Sequence, residues 1–208
     1  MNLNNLSTVT MFVGLPGCGK TTLAAHLTKA ALKYKKKHRT FRVFSNVPIK
    51  GALDFDWKID FGNFDMSYSL ILLDESGLEV DNRSWDKNFT RDKVEFLKLL
   101  RHYKSKLICF SQTWQDTDIK IRSMVGKLFI VRKSLIPMCT CAIPVFRKID
   151  VDEETKDFKE IYYKDFPLLR FFSTKRILRP VYYNMFDSWE CPEKPKKDLE
   201  VQEDLMYL

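Results

Sequence analysis

The chain has 208 residues, 45% of them hydrophobic, and a formal net charge of +8. This length suits one domain with a short appendage, and the charge favours a polyanionic partner such as nucleic acid or an anionic membrane face. Five cysteines without framework spacing exclude a disulfide scaffold and predict a reducing, cytoplasmic compartment. The polar first ten residues predict no signal peptide, and the longest apolar stretch, residues 135–146, is too short to span a bilayer.

A strand, a glycine-rich turn and a helix are predicted at the beginning of the chain, over residues 8–13, 14–20 and 21–33. The turn fits the phosphate-loop pattern G-x-x-x-x-G-K-[ST] at every fixed position. Its glycines allow backbone N–H groups to face phosphate oxygens, and the helix N-terminus adds a partial positive charge. Lys20 is expected to contact the phosphates and Thr21 to ligate Mg²⁺. The predicted nucleotide-binding residues are Gly14, Leu15, Pro16, Gly17, Cys18, Gly19, Lys20, Thr21 and Thr22.

The next segments are a basic run at residues 33–39, a second strand at 40–47 and a loop with a short strand or helical turn at 50–67. The basic run complements the dipole of the helix that it ends, and contact with nucleic-acid phosphates is the alternative reading.

An unbroken apolar run, residues 68–73, leads into the acidic pair Asp74-Glu75. This pattern is typical of a central parallel strand that is buried on both faces and presents its carboxylates at the carboxyl edge of the sheet. We expect Asp74 to hold Mg²⁺ and Glu75 to accept a proton from the water that attacks the γ-phosphate.

The following segments alternate between loops, helices and strands. A polar loop at residues 77–88 contains Arg83, and a helix is predicted at 89–103, with Arg101 near its end. A buried strand at 106–113 ends in polar residues, among which Gln112 is a candidate for orienting the attacking water. A short helix at 116–125 carries Arg122, and residues 127–132 are predicted to form the last strand of the sheet.

The last third of the chain has a different pattern. Two strand-like pieces, residues 140–149 and 158–163, predict a β-hairpin appended to the core. Residues 170–179 are basic and aromatic, which suits either a nucleic-acid surface or a packed edge. We predict one α/β domain over residues 1–188, with a mainly parallel sheet flanked by helices and the β appendage within 133–180. Residues 189–208 are predicted to be a disordered tail.

These landmarks resemble, in order, the zonular occludens toxin-like ATPases, the morphogenesis motors of filamentous phages within the HerA/FtsK-like branch of P-loop translocases. The resemblance covers about residues 8–188. The stretches that carry it are Val13–Thr21, Val43–Pro48, Leu72–Glu75 with Arg83 after it, Leu100–His102, Cys109–Thr113, Asp118–Arg122 and Val181–Ser188.

The resemblance implies Mg²⁺-dependent ATP hydrolysis coupled to the movement of DNA in the assembly of a phage or other mobile element. It also implies a homo-oligomeric ring, most often a hexamer, in which an arginine from the neighbouring subunit completes the site; the candidates are Arg83, Arg101 and Arg122. Members of the family usually continue into a transmembrane helix. No such helix is predicted in this sequence, so we expect a separate capsid or membrane protein as a partner. Two alternatives use the same loop: a small-molecule kinase, and a scaffold protein that binds ATP without turnover.

Overall fold

The computed structural model describes residues 3–56, 60, 65–74, 91–115, 117, 119–151, 158–163 and 167–186. The strands in these ranges are β1 (Val9–Val13), β2 (Arg42–Ser45), β3 (Leu53–Asp54), β4 (Ser69–Leu73), β5 (Lys106–Ser111), β6 (Lys127–Lys133), β7 (Cys139–Val151), β8 (Phe158–Tyr163) and β9 (Lys175–Leu178). The α-helices are α1 (Lys20–Lys37), α2 (Arg91–Leu99), α3 (Ile119–Met124) and α4 (Pro167–Ser173). Short 3₁₀ helices lie at Leu3–Asn5 and Arg179–Met185.

The strands form one sheet in the order β3-β2-β4-β5-β1-β6-β7-β8, and β9 also pairs with β7. Every pairing from β3 to β6 is parallel, whereas β7 is antiparallel to β6, β8 and β9. The predicted α/β fold with a mainly parallel sheet is therefore confirmed. Because β5 lies between β1 and β4, the carboxyl ends of these three strands meet side by side at one edge, the carboxyl edge.

Two hydrophobic cores cover the two faces of the sheet. In β1, Phe12 belongs to one core and Met11 to the other, as expected for a strand buried on both faces. Helix α1 covers the first face with fully buried residues such as Leu23, while α2 and α3 contribute to the second face. Each such side chain stabilises the fold by about 1.5–3 kcal/mol through burial. The cores thereby fix α1, and the loop before it, against the sheet.

One prediction about the sheet is wrong. Residues 127–132 form β6, but β6 is not the last strand, because β7 returns antiparallel to it and β9 pairs with β7. The turn between β6 and β7 includes Met138 with a φ of 59°. Pro144 lies within β7 opposite Phe129, inside the strand predicted over residues 140–149. The predicted hairpin is present as β7 and β8, and the first half of β7 is an integral strand of the main sheet.

Some predictions fall outside the described residues, namely the polar loop at 77–88, the tail at 189–208 and part of the 50–67 loop. Within the described ranges, none of the helices combines the length and apolar character that crossing a membrane requires.

Candidate nucleotide-binding site

The glycine-rich turn connects β1 to α1 at the carboxyl edge. The Gly14 N–H donates to Ser111 O of β5 at 3.1 Å, which fixes the start of the loop beside the neighbouring strand. Gly17 and Gly19 have φ values of 70° and 100°, in the left-handed region that side chains other than glycine rarely adopt. The helix begins at Lys20, so the first N–H groups of α1 point along its axis toward the loop. This is the geometry of an anion site.

Lys20 is held inside the loop. Its side chain is 9% exposed, and Nζ donates to Gly14 O at 2.7 Å and to Leu15 O at 3.3 Å. These carbonyls satisfy the ammonium group in the structure described here. A phosphate bound in the same loop could replace them as the acceptor, because charge-assisted bonds to phosphate oxygens are stronger than bonds to carbonyls.

Thr21 and Asp74 meet at the carboxyl edge, as predicted from the sequence. The Thr21 hydroxyl donates to Asp74 Oδ2 at 3.1 Å, and Asp74 is 5% exposed. A hydroxyl and a carboxylate are the hard oxygen ligands that Mg²⁺ prefers, with water and phosphate oxygens completing its coordination. These two residues therefore fit Mg²⁺. Among the described residues no group of three or more His, Cys, Asp or Glu side chains could hold a metal ion.

Gln112 and Glu75 were predicted to act on the attacking water. Gln112 follows β5 directly and is exposed, and since β5 separates β1 from β4, its position is between the phosphate loop and Asp74. Glu75, the predicted base, lies outside the described residues. The carboxyl edge thus brings together Lys20, Thr21, Asp74 and Gln112.

The three candidate arginines differ in where they lie relative to the phosphate loop. Arg83 lies outside the described residues. Arg101 is exposed in the turn that precedes β5, at the amino edge of the sheet, opposite the loop. In α3, the Arg122 guanidinium is 6.0 Å from the centre of the Trp114 ring, and Nε has no hydrogen-bond partner in the described structure. Arg101 is thus at the edge of the sheet opposite the phosphate loop of the same chain, and the choice among the three stays a prediction.

Asn46 is a site residue that sequence reasoning did not single out. Its amide donates to Asp74 O at 2.9 Å and accepts from Asp74 N–H at 2.7 Å, so it holds the backbone on which the carboxylate stands. Its position directly after β2 was the available signal, because β2 and β4 are parallel neighbours whose carboxyl ends adjoin.

Thr140 and Arg179 were also missed as site residues. The Arg179 guanidinium donates to Cys18 O at 3.1 Å and to Thr140 Oγ1 at 2.8 Å, and the Thr140 hydroxyl donates to Cys18 O at 3.0 Å. Both residues come from the part of the chain that was interpreted as an appendage. Their sequence offers no motif, since only the pairing of β7 with β6 and β9 carries them to the loop.

Burial controls the chemistry of the loop cysteine. Desolvation raises the pKa of the Cys18 thiol, and the nearby charges of Lys20 and Arg179 act in the opposite direction. The thiol is therefore a packing group, not a reactive thiolate, at neutral pH.

The sheet order and the loop at its carboxyl edge define a P-loop NTPase fold. More particularly, the fold is similar to that of the N-terminal domain of zonular occludens toxin from Neisseria meningitidis, with a TM-score of 0.53 and 16% identity over 88% of this chain and 100% of that one. The family resemblance expected from the sequence is thus confirmed at the level of the fold.

Other comparisons cover less of the chain or match it less well. The genome packaging NTPase B204 from Sulfolobus turreted icosahedral virus 2, in complex with ATP-gammaS, has a TM-score of 0.46 and 12% identity over 76% of this chain and 98% of that one. A family model described as PduV-EutP, ethanolamine utilisation - propanediol utilisation, matches residues 7–48, which span β1, the phosphate loop, α1 and β2. No curated protein sequence matches the chain.

Proposed function

We propose that this chain is a Mg²⁺-dependent ATPase that couples ATP hydrolysis to the translocation, packaging or extrusion of DNA during assembly of a phage or other mobile element. One observation supports the ATPase part of this proposal. Lys20 and the Thr21–Asp74 pair lie at the same edge of the sheet, and the Thr21 hydroxyl is 3.1 Å from the Asp74 carboxylate. A phosphate cradle and two hard oxygen ligands are the parts that binding of a nucleotide with its cation requires.

Nucleotide binding in this proposal uses groups that are already in place. The N–H groups of the loop and of the first turn of α1 surround the β- and γ-phosphates, and Lys20 exchanges its bonds to Gly14 O and Leu15 O for phosphate oxygens. Thr21 and Asp74 would hold Mg²⁺, which would supply positive charge to offset that of the phosphate oxygens. Because Asn46 fixes the backbone of Asp74, the carboxylate needs little rearrangement to bind the ion.

Hydrolysis then requires a positioned water. Gln112, at the end of β5, is adjacent to both the loop and Asp74, so its amide can orient that water. Glu75 accepts the proton as the water oxygen bonds to the γ-phosphorus and the bond to the β–γ bridging oxygen breaks. An arginine from a neighbouring subunit in a ring completes the charge stabilisation, with Arg83, Arg101 and Arg122 as candidates.

The DNA part of the proposal rests on different support. The sequence motifs resemble a family of DNA motors, and the net charge of +8 suits a polyanionic partner. Basic residues at the last turn of α1, Lys35, Lys36 and Lys37, offer one such surface. A capsid or membrane protein that recruits the motor belongs to the same proposal.

The experiment that tests the motor is steady-state ATP hydrolysis over a range of protein concentrations, with and without single- or double-stranded DNA, and with Lys20→Ala as the blank. A ring-forming motor gives activity that rises more than linearly with protein and is stimulated by DNA. Activity indifferent to both would refute the motor and favour a kinase, which a search for a phosphorylated small acceptor would then identify.

Glu75→Gln separates turnover from binding. If Glu75 is the base, the variant binds ATP as the wild type does and loses hydrolysis, because the amide cannot accept the proton. Retained hydrolysis would refute this role, and ATP binding without hydrolysis in the wild type would favour the scaffold alternative.

A further inference from the structure

The outward-facing side of the phosphate loop is bonded to two residues from distant parts of the chain. Arg179 Nη2 donates to Cys18 O at 3.1 Å and Nη1 to Gly17 O at 3.5 Å, while Nε donates to Thr140 Oγ1 at 2.8 Å. The Thr140 hydroxyl donates in turn to Cys18 O at 3.0 Å. The carbonyl of Cys18 therefore accepts two hydrogen bonds, one of them from a cation.

These carbonyls belong to peptide groups of the phosphate loop. The Cys18 carbonyl shares its peptide plane with the Gly19 N–H, whereas the Gly17 carbonyl shares its plane with the Cys18 N–H, which donates to Leu15 O at 3.3 Å. When the N–H groups of such a loop point inward, the carbonyls point outward and need donors. A charged donor on the carbonyl also polarises the N–H at the other end of the same peptide, which strengthens its bond to an anion.

Arg179 is itself fixed by the fold. Its backbone N–H donates to Met138 O at 2.8 Å, which ties it to the start of β7. It begins the 3₁₀ helix Arg179–Met185, whose Tyr182 hydroxyl lies 2.7 Å from His26 Nδ1 on α1. At the end of this helix, Met185 O accepts from Lys50 N–H at 2.8 Å. The guanidinium is therefore held at a defined place behind the loop.

We propose that Arg179 is a positioning residue for nucleotide phosphates: through the Cys18 carbonyl it orients the Cys18–Gly19 peptide group, so that the Gly19 N–H is preorganised for the anion. This inference rests on the proposed nucleotide binding at the loop, and it names a residue that acts through the loop. An arginine that acts in this way affects every ligand that carries the phosphate chain, whether or not an adenosine is attached.

The test is calorimetric binding of ATP and of inorganic tripolyphosphate to the full chain, both in the presence of Mg²⁺. Arg179→Ala is expected to weaken both ligands by a similar factor, about tenfold or more, since charge-assisted hydrogen bonds to the loop are lost. In hydrolysis the KM for ATP rises by a similar factor while kcat changes less. Arg179→Lys restores part of the affinity, because an ammonium keeps the charge without the planar fork.

Two further variants control for folding and location. Arg176→Ala is the matched control, because Arg176 is exposed on β9 and bonds to Phe171 O, away from the loop; it should bind both ligands as the wild type does. Thr140→Val removes the shared hydroxyl with little change of shape, and it should weaken both ligands in parallel, whereas Thr140→Ser should not. If Arg179→Ala does not fold, the comparison of Thr140→Val with Thr140→Ser tests the proposal in its place.

Three results would overturn the proposal. Unchanged affinities in Arg179→Ala and Thr140→Val would remove any role for this contact. A loss for ATP alone, with tripolyphosphate unaffected, would mean that Arg179 contacts the nucleoside and does not act through the loop. If wild type binds neither ligand, the proposed function fails first and this inference fails with it.

Discussion

Replacing Gly19 with alanine should destabilise the fold far more than replacing Gly17, although both glycines lie in the same loop. Gly19 has a φ of 100°, and a Cβ added there would overlap Thr140 Oγ1 and lie 3.1 and 3.2 Å from Thr140 Cβ and Cγ2. Thr140 is fully buried, so it cannot move aside freely. Gly17 has a φ of 70°, and a Cβ added there meets nothing within 4 Å.

These contacts give the expected difference in free energy of unfolding between the two variants. Backbone strain at positive φ costs about 1–2 kcal/mol at either position. At Gly19, displacement of Thr140 also breaks its bonds to Cys18 O and Arg179 Nε, at about 1 kcal/mol each. The sum is about 3–4 kcal/mol for Gly19→Ala, which corresponds to a fall in Tm of about 10 °C in a chain of this size. Gly17→Ala should lower Tm by about a third to a half of that amount.

The assay is thermal unfolding followed by circular dichroism, with the double variant Gly19→Ala/Thr140→Ala included. Because truncating Thr140 removes the atoms that the new Cβ meets, the two substitutions together should cost less than the sum of their separate effects. Equal Tm values for Gly17→Ala and Gly19→Ala, or strict additivity in the double variant, would refute the reasoning from the Thr140 contact.

Two further predictions concern the supports of the site. Asn46→Ala removes both of its hydrogen bonds to the Asp74 backbone. We expect the free energy of unfolding in urea to fall by about 2–3 kcal/mol, and the Mg²⁺ concentration for half-maximal activity to rise. Wild-type behaviour in both assays would contradict this role. Burial raises the pKa of the Cys109 thiol from 9.0 to about 12. The unfolded thiol ionises first, so stability that is present below pH 9 is lost as pH rises toward 12, by up to about 1.4 kcal/mol per pH unit. Cys109→Ala should give a shallower decline in free energy of unfolding over this range, and an identical slope would count against the shift.

The parallel half of the fold could be predicted from the sequence because its signals are local. The apolar runs before Asp74 and Gln112 were strands with buried side chains on both faces, and each ended at the carboxyl edge as expected. Pattern reasoning also placed Thr21 and Asp74 together, since the strand that ends at Asp74 and the loop that contains Thr21 must open on the same edge of a parallel sheet.

The antiparallel side of the sheet could not be predicted in the same way. Which strand β7 pairs with depends on long-range contacts, and the sequence pattern predicted β7 only as one strand of an appended hairpin. As a result, Thr140 and Arg179 were not connected with the loop, although both donate hydrogen bonds to it. Asn46 was missed for a related reason, because a lone amide after a strand acquires its role only from its neighbour β4.

Equilibrium binding tests most directly whether the loop and the carboxyl edge form a site for ATP and Mg²⁺. ATP binding should be measured calorimetrically, with and without Mg²⁺, in the wild type, Lys20→Ala and Asp74→Asn. We predict that the wild type binds ATP more tightly with Mg²⁺, that Lys20→Ala loses most of the affinity, and that Asp74→Asn loses the enhancement by Mg²⁺. Equal ATP affinities in the wild type and Lys20→Ala would contradict the account.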